Sequence, residues 1–289
     1  MKDQAKLYVF GEVLFDCFPD GNVVIGGAPF NVAWHLSALG DAPLFVSRVG
    51  TDELGDRIQK TMSEWEMPLD TLQRDTEHPT GRVTITLHDG DPTYDIEFGA
   101  AYDFIDAAGI PPITADDVVY HGSLAIRHEV SRSALDACLA AGPRVFLDVN
   151  LRDPWWQGID WDQYLRRVHW AKMNEDELHM LGFDQGGLEK NMQAFCARYE
   201  VEQLILTRGR AGALVLDQAG NFHQVEPPPL KETIDTVGAG DSFSAIYLHG
   251  LRQGWDIETI IDRAQHFAVE IIATRGATPK DRELYRQYR

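Results

Sequence analysis

The chain has 289 residues, 44% apolar and 25% charged, with a formal net charge of −19. That composition suits one large α/β domain or two small ones, with enough length to bury a sizeable core. The acidic balance argues against nucleic acid or an anionic membrane as main partner, since both demand a basic patch. A nucleotide stays open, because a few amides and one cation suffice to hold it. No segment approaches the ~18 consecutive apolar residues of a membrane-spanning helix, and the start of the chain is polar. Cys17, Cys138 and Cys196 are scattered, with no Cys-x-x-Cys spacing. They read as a reducing compartment, the cytoplasm, and no zinc site.

Leu7–Phe10 is a short apolar run and predicts a buried strand. Asp16 follows Val13, Leu14 and Phe15; an acid in that setting is paired or functional, unless it is a solvated strand end. In Gly26-Gly27-Ala28-Pro29-Phe30-Asn31 the paired glycines permit close backbone approach to a ligand, and Pro29 suits a first helical turn. Val32, Ala33, Leu36 and Leu39 continue at helical spacing until Gly40. Asn31 thus faces whatever the glycines approach. Its amide both donates and accepts, which fits hydroxyls; a structural role in the turn is the competing reading. Leu44–Val49 predicts a strand, and Gly50–Gly55 opens a helix running to about Glu66. From Thr80 to His88, Val83, Ile85 and Leu87 alternate with Arg82, Thr84 and Thr86, the pattern of a half-exposed strand. Asp89–Pro92 is a turn, after which Tyr94, Ile96 and Phe98 alternate again. This hairpin need not join a parallel sheet.

Val118–Tyr120 is another predicted strand, and Ser131–Ala141 a helix. Val145–Val149 is a buried-strand run followed by Asn150, Leu151 and Arg152, polar residues at a C-terminal strand edge, where open α/β sheets bind ligands. Trp155 and Trp156 read as packing rather than a stacking platform. Val168–Met173 predicts a strand; Asn174-Glu175-Asp176-Glu177 then makes an acidic first helical turn, favoured by the dipole. Leu204–Thr207 and Ala213–Leu216 are strands flanking Arg208-Gly209-Arg210-Ala211-Gly212. A dinucleotide fingerprint fails there, because the next run is strand and not helix. Pro227–Pro229 leads to the loop holding Asp235, Thr236, Gly238, Ala239 and Gly240. The apolar spacing of Phe243, Ile246, Tyr247 and Leu251 predicts a helix after it. A glycine-rich turn at a helix N-terminus leaves backbone N–H groups free for an anion, phosphate above all. Asp241 sets one carboxylate at the edge of that pocket, with helix capping as the competing reading. Asp256 caps a last long helix, ended by Gly276. Alternating strands and helices argue a mostly parallel sheet covered on both faces, and no interdomain linker divides residues 1–289.

Asp-Thr-x-Gly-Ala-Gly-Asp-Ser-Phe at 235–243 resembles the C-terminal motif of the PfkB carbohydrate kinases, the ribokinase-like family. Gly-Gly-Ala-Pro-x-Asn-x-Ala at 26–33 resembles its N-terminal motif, in the form typical of fructokinases. Val-Gly-x-Asp-x-x-Gly at 49–55, Asp-x-Asn-x-Arg at 148–152, Asn-x-x-Glu at 174–177 and Thr-x-Gly-x-x-Gly-Ala at 207–213 are also similar to family patterns. The resemblance implies a three-layer α/β fold with a small β-sheet lid from segments near 13–25 and 80–103. It implies phosphoryl transfer from ATP to a sugar hydroxyl, with Asp241 as general base and an anion hole at Gly238, Ala239 and Gly240. Asp16, Gly27, Asn31 and Arg152 are then expected at the sugar, and Thr207, Gly209 and Gly212 at ATP. Asn174 and Glu177 would support Mg²⁺, mostly through water. Asp235 and Thr236, with the loop Ala273–Thr278, would hold K⁺; the ordinary turn chemistry of Asp explains Asp235 equally well. Fructose is the first choice of acceptor; ketodeoxygluconate, ribose and nucleosides are alternatives, as is a non-catalytic sugar sensor on the same scaffold. The edges of a lid sheet leave room for a homodimer through the lid. The chain carries neither the Gly-x-x-x-x-Gly-Lys-Ser/Thr phosphate loop nor the protein-kinase His-Arg-Asp string.

Overall fold

The computed structural model describes residues 5–88, 91–229 and 233–289. The chain starts with β1 (Leu7–Phe10), β2 (Leu14–Cys17) and β3 (Val23–Gly26), then α1 (Ala28–Leu39). Next come β4 (Leu44–Gly50), α2 (Glu53–Glu64) and β5 (Leu72–Asp75), then the pair β6 (Gly81–His88) and β7 (Asp91–Ile96). The middle holds β8 (Val118–His121), α3 (Glu129–Leu139), β9 (Arg144–Asp148), α4 (Trp161–Leu165) and β10 (Trp170–Asn174). It continues with α5 (Glu175–Met180), α6 (Leu188–Tyr199), β11 (Gln203–Thr207), β12 (Ala213–Asp217) and β13 (Phe222–Val225). Two long helices close it, α7 (Ala239–Gln253) and α8 (Ile257–Ile272).

Among the described residues the main sheet has nine strands in the order β13-β12-β11-β10-β9-β8-β1-β4-β5. Only β12 and β13 run antiparallel to their neighbours. Strand residues alternate between two cores, as a sheet covered on both faces requires. Leu7, Val9, Tyr120, Phe146 and Ile205 face the layer of α1, α7 and α8. Tyr8, Phe10, Val119, Leu147 and Leu206 face that of α3 and α6. Connections run in opposite senses on the two sides of β1, so the crevice at its C-terminal end is the switch point of the sheet.

The second sheet, four strands in the order β3-β2-β6-β7 among the described residues, stands apart from the first. It consists of two hairpins joined by the parallel pair β2–β6, with Asp16 opposite Val83. Val83 and Ile85 are buried while Arg82, Thr84 and Thr86 are exposed, so the predicted alternation holds. The segments near 13–25 and 80–103, from which a lid is expected, supply the strands of this second sheet as far as Ile96; the turn expected at Asp89–Pro92 falls partly outside the described residues.

Several boundaries move for local reasons. The helix expected from Ser131 begins at Glu129, where the His128 imidazole accepts from the Val130 amide at 3.3 Å. α8 ends at Ile272, and Gly276 lies in the turn beyond it, not at the cap. Trp155 packs as expected: it is half-buried, stacked on Phe98 at 5.1 Å with the Arg127 guanidinium 4.6 Å from its ring centroid.

Candidate active site

Gly27 is the N-cap of α1, at φ 107°, a value that favours glycine. A β-carbon there would sit 2.7 Å from the Glu12 carbonyl oxygen, so only glycine lets the start of α1 close on the end of β1. The Gly27 carbonyl accepts from the Asn31 amide at 2.9 Å, which fixes Asn31 in the first turn. Asn31 is buried, and its Nδ2 donates to Asp241 Oδ2 at 2.8 Å across 210 residues of sequence. The two glycine-rich turns thus meet through their polar side chains.

Gly238 occupies the N-cap of α7 at φ 81° and makes no side-chain cap bond. A β-carbon there would lie 2.8 Å from the Ala277 Cα, so this turn also needs glycine. Asp241 sits inside the first turn of the helix and its carboxylate goes to Asn31; the capping reading of Asp241 does not hold. Burial pushes its pKa up to about 6; the Asn31 bond and the charges of Lys172 and Arg152 oppose the rise, and Asp148 adds to it. The Ala239 amide reaches the Thr236 carbonyl at 3.5 Å, so its N–H is partly engaged within the turn. Beneath the loop lies a buried network that sequence reasoning passed over. Lys172 Nζ donates to both Asp148 oxygens, at 2.9 and 2.8 Å, and Ser244 Oγ and Tyr120 OH donate to Oδ2 at 2.9 and 3.3 Å. Lys172 Nζ is also 3.5 Å from where a Gly240 β-carbon would stand, which sets a positive charge directly under the turn. A lysine inside an otherwise apolar strand was the available signal.

Asp16, half-buried in β2, brings Oδ2 to within 2.8 Å of the position of a Gly26 β-carbon. Burial raises its pKa and Arg152 lowers it. Arg152 is exposed, and its charge acts on Glu12, Asp16 and Asp241 alike. The residues expected at the sugar are therefore brought near one another: Asn31 bonds Asp241, Gly27 fixes the turn that holds Asn31, and the charge of Arg152 acts on Asp16 and Asp241.

Further along the same sheet edge, Asn174 ends β10 in register with Thr207 at the end of β11. Asn174 caps α5 through a reciprocal capping box: its Oδ1 accepts from the Glu177 amide, and Glu177 Oε2 accepts from the Asn174 amide, both at 2.8 Å. Glu177 Oε1 accepts from the Leu151 amide at 2.8 Å, tying this turn to the one holding Arg152. Each oxygen of the buried Glu177 thus accepts one backbone amide, so the side chain holds these two turns together. Among the described residues no group of three His, Cys, Asp or Glu side chains could hold a metal ion. Gly209 is exposed with open space beside it, whereas Gly212 is buried under the Val225 carbonyl, a packing reason for glycine independent of any nucleotide. Asp235 Oδ1 accepts from Val237 N at 3.0 Å and Oδ2 from Gly276 N at 3.2 Å. Its turn reading holds, and the same bonds bring its loop against the segment after α8. Two surface clefts of about 590 and 720 Å³, lined by residues such as His78 and Phe104 or Arg167 and Tyr199, contain none of these residues.

The family model described as pfkB family carbohydrate kinase matches residues 10–283. A fructokinase of Salmonella typhimurium is 30% identical over 98% of this chain and 99% of its own. A crystal structure of the Vibrio cholerae O395 fructokinase, in fructose-, ADP- and calcium-bound form, superposes with a TM-score of 0.84 at 26% identity, over 98% of both chains. A double mutant of that protein, bound to fructose, ADP and a potassium ion, gives a TM-score of 0.84 at 25% identity, over 98% of this chain and 97% of that one.

Proposed function

This chain belongs to the pfkB family of carbohydrate kinases, and from that premise we propose that it transfers the γ-phosphoryl group of ATP to a hydroxyl of fructose. The observation that carries the reading is the Asn31–Asp241 bond, which sets a carboxylate of raised pKa against the turn suited to hydroxyl recognition. The acceptor hydroxyl takes its place beside Asp241, which is ionised above about pH 6 and removes the proton as the new O–P bond forms. The bond from the γ-phosphorus to the bridging oxygen breaks, and ADP leaves. Charge on the moving phosphoryl group meets the N-terminal amides of α7 around Gly238, Ala239 and Gly240, with Lys172 beneath them. Asp16, Asn31 and Arg152 hold the sugar, and the second sheet covers it against water. The family resemblance and the fructose-bound relatives favour fructose over ribose, ketodeoxygluconate or a nucleoside.

Thr207 and Gly209 border the nucleotide in this reading, and Asn174 and Glu177 support Mg²⁺ through water. When bound, that ion neutralises charge on the ATP phosphates. Asp235 and the loop after α8 supply oxygen ligands for K⁺. The whole chain acts as one kinase unit, and the three free cysteines support a cytoplasmic setting. Exposed Phe18, Val24 and Tyr94 on the lid support a homodimer through that sheet; a monomer mass in light scattering at micromolar concentration would remove that element.

The deciding experiment is ADP production with a panel of sugars. Turnover with fructose at the highest kcat/KM is expected. Fructose turnover far below that of another sugar changes the acceptor, and tight sugar binding with no turnover makes the protein a sensor.

A further inference from the structure

The crevice contains one ionisable group that no motif reading singled out. Glu12 follows β1 by two residues and is 4% exposed. Its Oε2 has no hydrogen-bond partner among the described residues. A carboxyl taken out of water needs compensating partners; the residue's own backbone amide serves the group, and Oε2 is left without one. The nearest cations are bonded mainly elsewhere, although Arg127 Nη1 is itself buried without a partner. Arg127 is bonded to Asp103, the Glu97 carbonyl and the Tyr102 hydroxyl, and Arg152 to the Leu151 carbonyl. Asp241, Arg152 and Arg127 all act on the Glu12 charge, so it lies among the residues already assigned to the crevice. Its backbone carbonyl is also the atom on which Gly27 closes. One further buried oxygen there lacks a partner: Asn31 Oδ1, on the residue that holds Asp241. Two unpartnered oxygens around one turn call for a ligand carrying several O–H donors.

We propose that Glu12 is a sugar-contacting specificity residue whose free Oε2 accepts one hydroxyl of the bound acceptor. The inference rests on the sugar-kinase reading above and adds to it a residue outside both glycine-rich motifs. Glu12 and Asn31 then take neighbouring hydroxyls, while Asp241 takes the one that reacts. A missing or inverted hydroxyl leaves Glu12 buried and unpaired, which is how a polar site rejects an analogue.

The test uses Glu12→Met, which keeps chain length and removes both oxygens. Wild type and variant are assayed with fructose and its monodeoxy analogues, alongside the KM for ATP. We expect kcat/KM for fructose to fall about tenfold or more, the worth of a bond to a carboxyl group, with the ATP KM unchanged. Against one deoxy analogue the variant should lose nothing further relative to wild type, and that analogue identifies the hydroxyl. An equal loss on every analogue, as a buried structural water would give, overturns the proposal, as does no loss on any. Should the methionine variant fail to fold, judged by its thermal melt, Glu12→Gln carries the same cycle with the same two overturning outcomes. Failure of the kinase reading looks different: wild type then phosphorylates no sugar, and the Glu12 assignment falls with it.

Discussion

Replacing Asp241 with asparagine should inactivate the protein and stabilise it. The substitution keeps shape, and an asparagine carbonyl still accepts from Asn31 Nδ2. An aspartate titrates near 3.8 when unfolded, and burial raises Asp241 to about 6 in the fold. The folded state therefore binds this proton more tightly than the unfolded chain does. The group's contribution to stability is complete below about pH 4 and is lost as the pH rises through 6. At pH 8 the ionised carboxylate costs the fold at most about 3 kcal/mol, less whatever water screens at a half-buried residue. Asparagine cannot ionise and escapes that cost. The variant should melt up to about 5 °C above wild type at pH 8, and the gap should be about half as large at pH 5. Turnover should fall by about 10²–10⁴, and wild-type kcat should itself decline below about pH 6 as Asp241 takes up its proton. Paired calorimetric melts at pH 5 and 8, with coupled-enzyme kinetics, test both halves. A variant with near-wild-type kcat refutes the base assignment. An inactive variant whose melting gap does not grow with pH refutes the link between the buried charge and the base.

Asp16→Ala and Asn31→Ala should raise the KM for fructose by about threefold to tenfold and leave the ATP KM unchanged, and Asn31→Ala should lower kcat as well, because it also frees the Asp241 carboxylate; equal loss of both affinities would show that the site map is wrong. Lys172→Met strands the buried Asp148 carboxylate and should cost about 3–5 kcal/mol in urea unfolding. Adding Asp148→Asn should recover part of that loss, and strict additivity would mean that the two side chains do not act as a pair. Activity compared in K⁺, Na⁺ and a bulky organic cation at matched ionic strength should be highest in K⁺, and Asp235→Ala should abolish the preference; identical kcat in all three excludes a monovalent-ion role for that loop.

What could be read from the chain alone follows from how each part is held. The parallel strands were legible because burial on both faces makes them continuous apolar runs, as in Leu7–Phe10 and Val145–Leu147. The second sheet was legible for the opposite reason, its strict alternation at Val83 and Ile85. The glycine motifs were legible because close approach admits no β-carbon at Gly27 or Gly238. Pairings across long stretches of chain were not. The bond between Asn31 and Asp241, and the bridge from Lys172 to Asp148 and Ser244, exist only once the sheet order is set. The C-terminal turn Arg282–Tyr288 gave no periodic signal, yet Tyr285 is fully buried, with its hydroxyl 2.9 Å from His35 Nδ1. Glu12 looked like a mere interruption of an apolar run, because a single buried acid carries no spacing pattern.

The second sheet leaves the body of the protein at two clasps. Its first hairpin enters through Gly11–Val13 and returns at Gly27, where the turn is locked against the Glu12 carbonyl. Its second hairpin enters at Thr80, whose amide and hydroxyl both bond Asp52, at 2.8 and 2.7 Å. It returns beside Ala101, whose amide bonds the Pro79 carbonyl at 2.8 Å. Two fixed points define an axle, and a stiff plate mounted on it has one easy direction of swing. Glu12, Gly27 and the adjoining Asn31 lie on the axle, where displacement is least, whereas Asp16 rides on the plate. In the proposed kinase a sugar would engage the axle residues while the plate stands open, and contact with Asp16 would register that it has come down. Hydrogen exchange should show this as slowed amides in β2, β3 and β6 on sugar binding, with those of Asp52 and Thr80 unchanged; slowing at the clasps instead would mean that they flex and that the plate has no axle.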